Sequence, residues 1–247
     1  MEDIKIKDSK ISAGCYDLNR WLFGGYDKDV ITTIYGPAGS GKTNLCLLAA
    51  VSQAKKGKKV FYVDTEGGFS IERIKQLSKE DYDSLLKNIL LLKPLNFKEQ
   101  QKDFEVLLKE INNNQIGLII IDSLTIHYRI EIGEAQQNKD ELKIKEINKE
   151  LAKQLSILVE LSRKKNIPII LTNQVYYDFI EDFSKKDERT ARMVGGDLLK
   201  YWSKCHIELK NHSGKRTAVL RKHRSLPEKE MNFIIIDSGI RKKNFFI

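Results

Sequence analysis

The sequence predicts an α/β fold: a mostly parallel central sheet flanked by helices, with antiparallel strands toward the carboxyl terminus. Three observations predict it. Up to Thr172, short runs of β-branched and apolar residues alternate with longer stretches of helical periodicity, the pattern of strands joined by crossover helices. Beyond Thr172 the apolar runs follow one another across short turns, as hairpins do. The 247 residues, 41% of them apolar, suit one large domain with a buried core, and no linker, repeat or low-complexity tract divides them.

Val30–Tyr35, Val60–Asp64, Leu118–Asp122 and Ile167–Thr172 are apolar almost throughout, as strands covered on both faces must be, and are expected at the sheet's centre. Between them Leu45, Leu48, Ala49 and Ser52 repeat at helical spacing. So do Phe104, Leu107, Leu108 and Ile111, and then Ile147, Leu151, Leu155 and Val159, giving each helix one apolar face. Ile71–Leu77 reads as a shorter helix. Cys205–Leu209, Thr217–Arg221 and Phe233–Ile236 are the closing strands, the first two joined through His212-Ser213-Gly214-Lys215.

Composition bounds the function. The excess of 43 Lys and Arg over 34 Asp and Glu gives a net charge of +9, which favours polyanionic partners and nucleic acid before others. Cys15, Cys46 and Cys205 are far apart and form no C-x-x-C pair, so neither a disulfide framework nor a zinc site is expected; Cys46 reads as small core filler. His127, His206 and His212 have no ligand spacing. Met1–Lys10 mixes charges without an apolar run, and no later run approaches the roughly 18 apolar residues of a bilayer span. A soluble, cytoplasmic protein without membrane contact is expected.

The strongest chemical signal is Gly36-Pro37-Ala38-Gly39-Ser40-Gly41-Lys42-Thr43, a full match to G-x-x-x-x-G-K-S/T placed directly between a strand and a helix. Such a loop turns its N–H groups and a helix amino terminus toward phosphates. Lys42 adds charge at the β/γ oxygens, the Thr43 hydroxyl binds Mg²⁺, and Asn44 continues the site into the helix. ATP with Mg²⁺ is therefore the expected cofactor. Asp122, ending an apolar strand, is placed to hold the metal, although an acidic residue there also serves as an ordinary helix cap. Glu66, two residues beyond the Val60–Asp64 strand, is a candidate to activate the attacking water, and Gln174 to sense the γ-phosphate; plain loop hydrogen bonding is the alternative for both.

Taken in order, the P-loop, Val63-Asp64-Thr65-Glu66-Gly67-Gly68-Phe69, Ile121-Asp122-Ser123-Leu124-Thr125 with Tyr128-Arg129, Thr172-Asn173-Gln174-Val175, and Gly195-Gly196 before Trp202-Ser203 resemble the archaeal and eukaryotic RecA-type recombinases across nearly the whole chain. The resemblance implies a RecA-like P-loop NTPase core as a single domain over 1–247. It is greatest to the short archaeal paralogues, because Ile11-Ser12-Ala13-Gly14 already opens the ATPase core, and no amino-terminal helix-hairpin-helix domain is expected. It implies that Glu66 is the catalytic glutamate, Gln174 the γ-phosphate sensor, and Arg73 a guanidinium stacked on adenine, unless Arg73 is only a helix-surface residue. It also implies DNA-facing loops at about 129–140 and 175–196, with Arg129, Lys185, Lys186, Arg189 and Arg192 as DNA contacts. The implied role is an accessory factor in DNA repair and homologous recombination, with weak ATPase activity and little strand exchange. The implied partners are DNA, the full-length recombinase RadA, a Holliday-junction resolvase and further copies of the chain. The rival readings are a strand-exchange recombinase and a RecA-like signalling ATPase without a DNA role.

One segment departs from the family. Full-length recombinases carry an acidic ATP cap before Leu-Pro-Glu, whereas this chain has Lys222-His223-Arg224-Ser225 before Leu226-Pro227-Glu228. That resembles the K-x-R fingers of hexameric RecA-like ATPases. Two cations one residue apart on a strand end are expected to point the same way and reach a neighbouring subunit's γ-phosphate. A nucleic-acid contact or a solvated basic patch is the alternative.

Overall fold

The computed structural model describes residues 9–78, 82–113, 115–177, 191–193 and 195–243. Lys10–Ile11 (β1) and Tyr26–Asp27 (β2) pair as a small antiparallel ribbon around the helix Tyr16–Trp21 (α1). Ile31–Gly36 (β3) leads into Lys42–Ala54 (α2), and Lys59–Asp64 (β4) into Ile71–Ser78 (α3) and Tyr82–Leu86 (α4). Ile89–Leu92 (β5) precedes Phe97–Asn113 (α5), and Ile116–Asp122 (β6) precedes Ile126–Gln137 (α6) and Glu141–Lys165 (α7). Ile169–Tyr177 (β7), Ala191–Met193 (β8) and Gly196–Trp202 (α8) follow. The chain then runs through Cys205–His212 (β9), Lys215–Lys222 (β10), Lys229–Ile236 (β11) and Gly239–Lys242 (β12).

Apart from the β1–β2 ribbon, all these strands join one sheet in the order β12-β11-β10-β9-β3-β7-β6-β4-β5, with β8 added antiparallel to β7. From β9 to β5 the neighbours are parallel; from β9 to β12 they are antiparallel. Strand alternation divides the core between the two faces. Val60, Tyr62, Leu118 and Ile120 pack with Leu45, Leu48 and Ala49 of α2 on one side. Phe61, Val63, Ile119 and Ile121 pack with Leu107 of α5 and Leu151 and Leu155 of α7 on the other. No helix among the described residues is long and apolar enough to cross a membrane.

The expected strands and helices are all present, most of them longer than their apolar runs. Several short elements, among them β1, β2, α1, α4, β8, α8 and β12, are additional to those expected, and two further differences bear on the sheet and the site. Ile89–Leu92 is an additional strand at the sheet's edge, half-buried and too short to show a period. The segment at 129–140, expected as a loop, is mostly α6. Its apolar residues do not collect on one face, Ile130 being 55% exposed, so helical periodicity is weak there. Packing recruits it instead: Ala135 is buried against Phe97 of α5 and Ile147 of α7.

Candidate nucleotide-binding site

Parallel pairing brings the ends of β3, β7, β6 and β4 to one edge, with Gly36 beside Gln174 and Asp64 beside Asp122. The loop from Gly36 to Gly41 needs glycine for two distinct reasons. At Gly36 a Cβ would come 2.3 Å from the Leu209 carbonyl oxygen, and Gly41, capping α2, has φ of +107°. The first turn of α2 carries no acidic side chain, so its N–H groups keep the positive end of the helix dipole available to an anion.

Lys42 is buried, and its Nζ donates to the carbonyls of Gly36 (2.9 Å) and Pro37 (3.0 Å). Burial lowers its pKa, against which the charges of Glu66 and Asp122 act. Asp122 is itself buried and accepts from Tyr62 Oη at 3.0 Å and Thr172 Oγ1 at 2.5 Å. Desolvation raises the Asp122 pKa, while hydrogen bonds from Thr172, Thr43 and Tyr62 oppose that rise. An alcohol and a buried carboxylate thus meet at Thr43 and Asp122. Hard oxygens of this kind suit Mg²⁺, which takes the remainder of its shell from phosphate and water, so the residues present fit the expected metal.

Glu66 is exposed on a turn that Asp64 shapes. The buried Asp64 carboxylate accepts from the N–H groups of Gly68 and Phe69, both at 3.0 Å, which folds the chain back after β4. Gly68 then lies against Thr43, where a Cβ would come 3.2 Å from Oγ1. Thr65 Oγ1 fixes the same turn to the end of β6, donating to the Ser123 carbonyl (2.7 Å) and accepting from the Ser123 N–H (2.8 Å). Glu66, Thr43, Lys42 and Asp122 are therefore neighbours. Asp64 and Thr65 belong to a segment that carries the family resemblance, but the sequence assigns them no role, because apart from that they read as a polar pair at a strand end.

Arg73 is more than a helix-surface residue. Its guanidinium donates to Asn44 Oδ1 (2.9 Å), Gln76 Oε1 (2.7 Å) and the Ile236 carbonyl (2.8 Å), joining α2, α3 and the β11–β12 turn. Asn44 accordingly serves as an acceptor for Arg73. Such bonds use the guanidinium edge, whereas the expected stacking would use its face, so the two uses are compatible.

Residues 6–243 match the Rad51 family. The chain belongs to the Rad51 family. Similar proteins include the DNA repair and recombination protein RadB of Methanobrevibacter smithii, 40% identical over 90% of this chain and 92% of that one. The protein of the same name from Methanocaldococcus jannaschii is 39% identical over 90% of this chain and 98% of its own. A solved structure described as the RadB recombinase superposes with a TM-score of 0.73 and 37% identity, covering 93% of this chain and 98% of that one. The RecA-like fold of this Rad51-family chain agrees with that neighbour.

The Rad51-family site does not gather every expected residue. Lys222 pairs with His206 near the start of β9, which runs parallel to β3, so the K-x-R segment lies at the sheet edge opposite the P-loop. The expectation that Lys222 and Arg224 point together is corrected. The ladder shifts register at Leu220/Lys222, β10 ends there, and Arg224 falls in the following turn, where strand alternation no longer applies. Lys222 donates to the carbonyls of Lys200 (3.0 Å) and Ser203 (3.1 Å), whereas Arg224 pairs with Asp29 (2.7 Å) and Asp27 (3.2 Å). Burial opposes the charge on Asp27, but the hydrogen bond from His223 and the charges of Lys10 and Arg224 hold its pKa down at about 2. Arg129 is exposed on α6. Arg192 lies in β8, paired with Tyr176. Lys185, Lys186 and Arg189 lie outside the described residues.

Proposed function

We propose that this Rad51-family protein binds ATP with Mg²⁺ and acts on DNA in repair and recombination, as an accessory factor with weak hydrolysis. The observation that carries the nucleotide reading is the convergence of Lys42, Thr43, Asp122 and Glu66 at the mouth of a strand–loop–helix phosphate cradle. The loop N–H groups and Lys42 hold the phosphates. Thr43 and Asp122 hold the metal, which supplies charge neutralisation at the phosphoryl oxygens when bound. Exposed beside Thr43, Glu66 is the base that accepts a proton from the attacking water, and Gln174, beside Gly36, reports on the γ-phosphate. Arg73 stacks on adenine.

The DNA reading is supported by the net charge of +9 and by the printed names of the RadB relatives. Arg129, Lys185, Lys186, Arg189 and Arg192 are its proposed contacts, and RadA, a Holliday-junction resolvase and further copies of the chain its protein partners. The position of Lys222 and Arg224 on the opposite edge supports contact with a neighbouring subunit's nucleotide. A strand of six residues spans about 20 Å, too far for either side chain to serve its own P-loop. Titration with DNA at several salt concentrations, with and without ATP, tests the assignment; a salt-independent or absent association overturns the DNA role. A joint-molecule assay with this protein as the sole recombinase separates the accessory role from strand exchange.

A further inference from the structure

Two side chains outside the P-loop motif reach that loop from the antiparallel part of the sheet. Asn211, near the end of β9, donates from Nδ2 to the Gly39 carbonyl at 3.3 Å. Arg216, second in β10, donates from Nε to the same oxygen, also at 3.3 Å. The two are register partners across the hairpin, so their donors rise side by side and meet at one acceptor because of the strand pairing. Asn211 Oδ1 also accepts from the Gly214 N–H (3.1 Å), so one side chain closes the β9–β10 turn and grips the loop.

Gly39 has φ of +70°, and the Ser40 N–H closes back on the Pro37 carbonyl at 3.3 Å, so the outer part of the P-loop is a tight turn. The Gly39 carbonyl and the Ser40 N–H share one planar peptide, and two donors on that carbonyl fix the plane. A phosphate cradle needs its N–H groups to converge, and a glycine-rich loop has much conformational freedom to lose in reaching that arrangement. An outside anchor reduces that loss before the ligand arrives. The Arg216 Nη atoms make no hydrogen bond or ion pair among the described residues, so the guanidinium charge also adds to the field on a bound phosphate.

We infer that Asn211 and Arg216 are positioning residues of the nucleotide site, holding the outer turn of the P-loop through the Gly39 carbonyl in the form that receives a nucleoside triphosphate. The inference rests on the ATP-binding reading and extends it. It makes the β9–β10 hairpin part of the nucleotide site, although neither residue touches the reacting atoms.

The test uses the full chain and compares Asn211→Ala, Arg216→Ala, the double variant, Arg216→Lys and Arg216→Gln with the parent. Affinity for ATP with Mg²⁺ is measured by calorimetric titration, and thermal melting is recorded without nucleotide. Each alanine variant is expected to weaken ATP binding by roughly two- to tenfold, the range of one ordinary hydrogen bond. The double variant should lose less than the product of the two, because both donors share one acceptor. Arg216→Lys should recover most of the affinity by supplying a donor and a charge, and Arg216→Gln only the part due to the donor. Melting without nucleotide should be unchanged in the Arg216 variants and fall only slightly in those that lack Asn211, whose side chain also accepts from the Gly214 N–H. Parent-like affinity in the double variant overturns the inference, as does an affinity loss that only mirrors a fall in nucleotide-free melting. Should Arg216→Ala fail to fold, Asn211→Ala and the Lys and Gln variants decide in the same way. Lys42→Ala is the control for the underlying reading. If the parent binds and Lys42→Ala does not, an unaffected double variant defeats this inference alone; a parent that binds no ATP defeats both.

Discussion

The parallel half of the sheet and its antiparallel wing do different work at the same site. The parallel half carries the groups expected to do chemistry: Gly36 to Thr43 after β3, Glu66 after β4, Asp122 at the end of β6, and Gln174 within β7 beside Gly36. The wing carries supports. Leu209 excludes a Cβ at Gly36, Ile235 lies under Gly41, and carbonyls of the β11–β12 turn hold Arg73. At its far end the wing presents Lys222 and Arg224 to the opposite edge. Lys42 and Asp122 sit at the ends of doubly covered strands, where burial shifts their pKa values, and the half-exposed strands determine the shape of the loop beside them.

If that division is right, damage to the parallel half should remove chemistry outright, and damage to the wing should weaken it by degrees. The largest effect is expected from Glu66→Gln, in which the amide still orients water but cannot accept its proton. Turnover should fall by about 10²- to 10⁴-fold with ATP affinity retained. Single-turnover assays beside binding titrations check this, and a joint loss of both would make Glu66 a structural residue. Lys42→Ala comes next. Loss of the buried ammonium should cost roughly 1.5–3 kcal/mol or more of ATP binding, visible as at least a tenfold rise in Kd. Unchanged affinity in a folded variant would move the phosphate site elsewhere.

The wing is tested by Arg224→Ala, which should suppress hydrolysis while leaving ATP binding by the monomer nearly intact. Mixing it with Lys42→Ala should restore part of the activity, since one interface then joins an intact P-loop to an intact Arg224. Specific activity of the parent should also rise with protein concentration. No complementation, with turnover independent of concentration, would leave Lys222 and Arg224 as surface or DNA contacts.

The smallest effect concerns His206 on β9, a buried residue of the wing. Burial, and then the charges of Lys222, Lys200 and Lys204, lower its pKa to about 4. An imidazole depressed below the ordinary value near 6.5 favours the folded state when neutral. Its contribution is complete above about pH 6.5 and is lost as the pH falls through that value toward about 4, where the folded form also protonates. The loss should be on the order of 2 kcal/mol after allowance for partial solvent screening. Urea melts of the parent and His206→Gln at pH 7 and pH 4.5 should show the shallower pH dependence in the variant. Equal slopes would mean that other groups set the acid limit.

Local information was enough for the four central parallel strands and the loop after the first of them. Eight consecutive residues from Gly36 to Thr43 specify a strand exit, a turn and a helix start, and the apolar run ending at Asp122 announces its own carboxylate, because strand period and chain order alone place such residues at one sheet edge. Those features need no distant partner to be recognised. Tertiary structure decided the rest. Asn211 and Arg216 meet Gly39 across 172 and 177 residues of chain, and Arg73 finds Ile236 across 163, contacts that no periodicity encodes. The segment at 129–140 is helical because α5 and α7 offer it a surface, and Lys222 and Arg224 diverge because a register shift ends the strand between them. Order along the chain thus determined which groups arrive at the P-loop edge. Packing between distant segments determined how the loop is held and which way the remaining cations face, because those outcomes depend on partners that chain order does not place side by side.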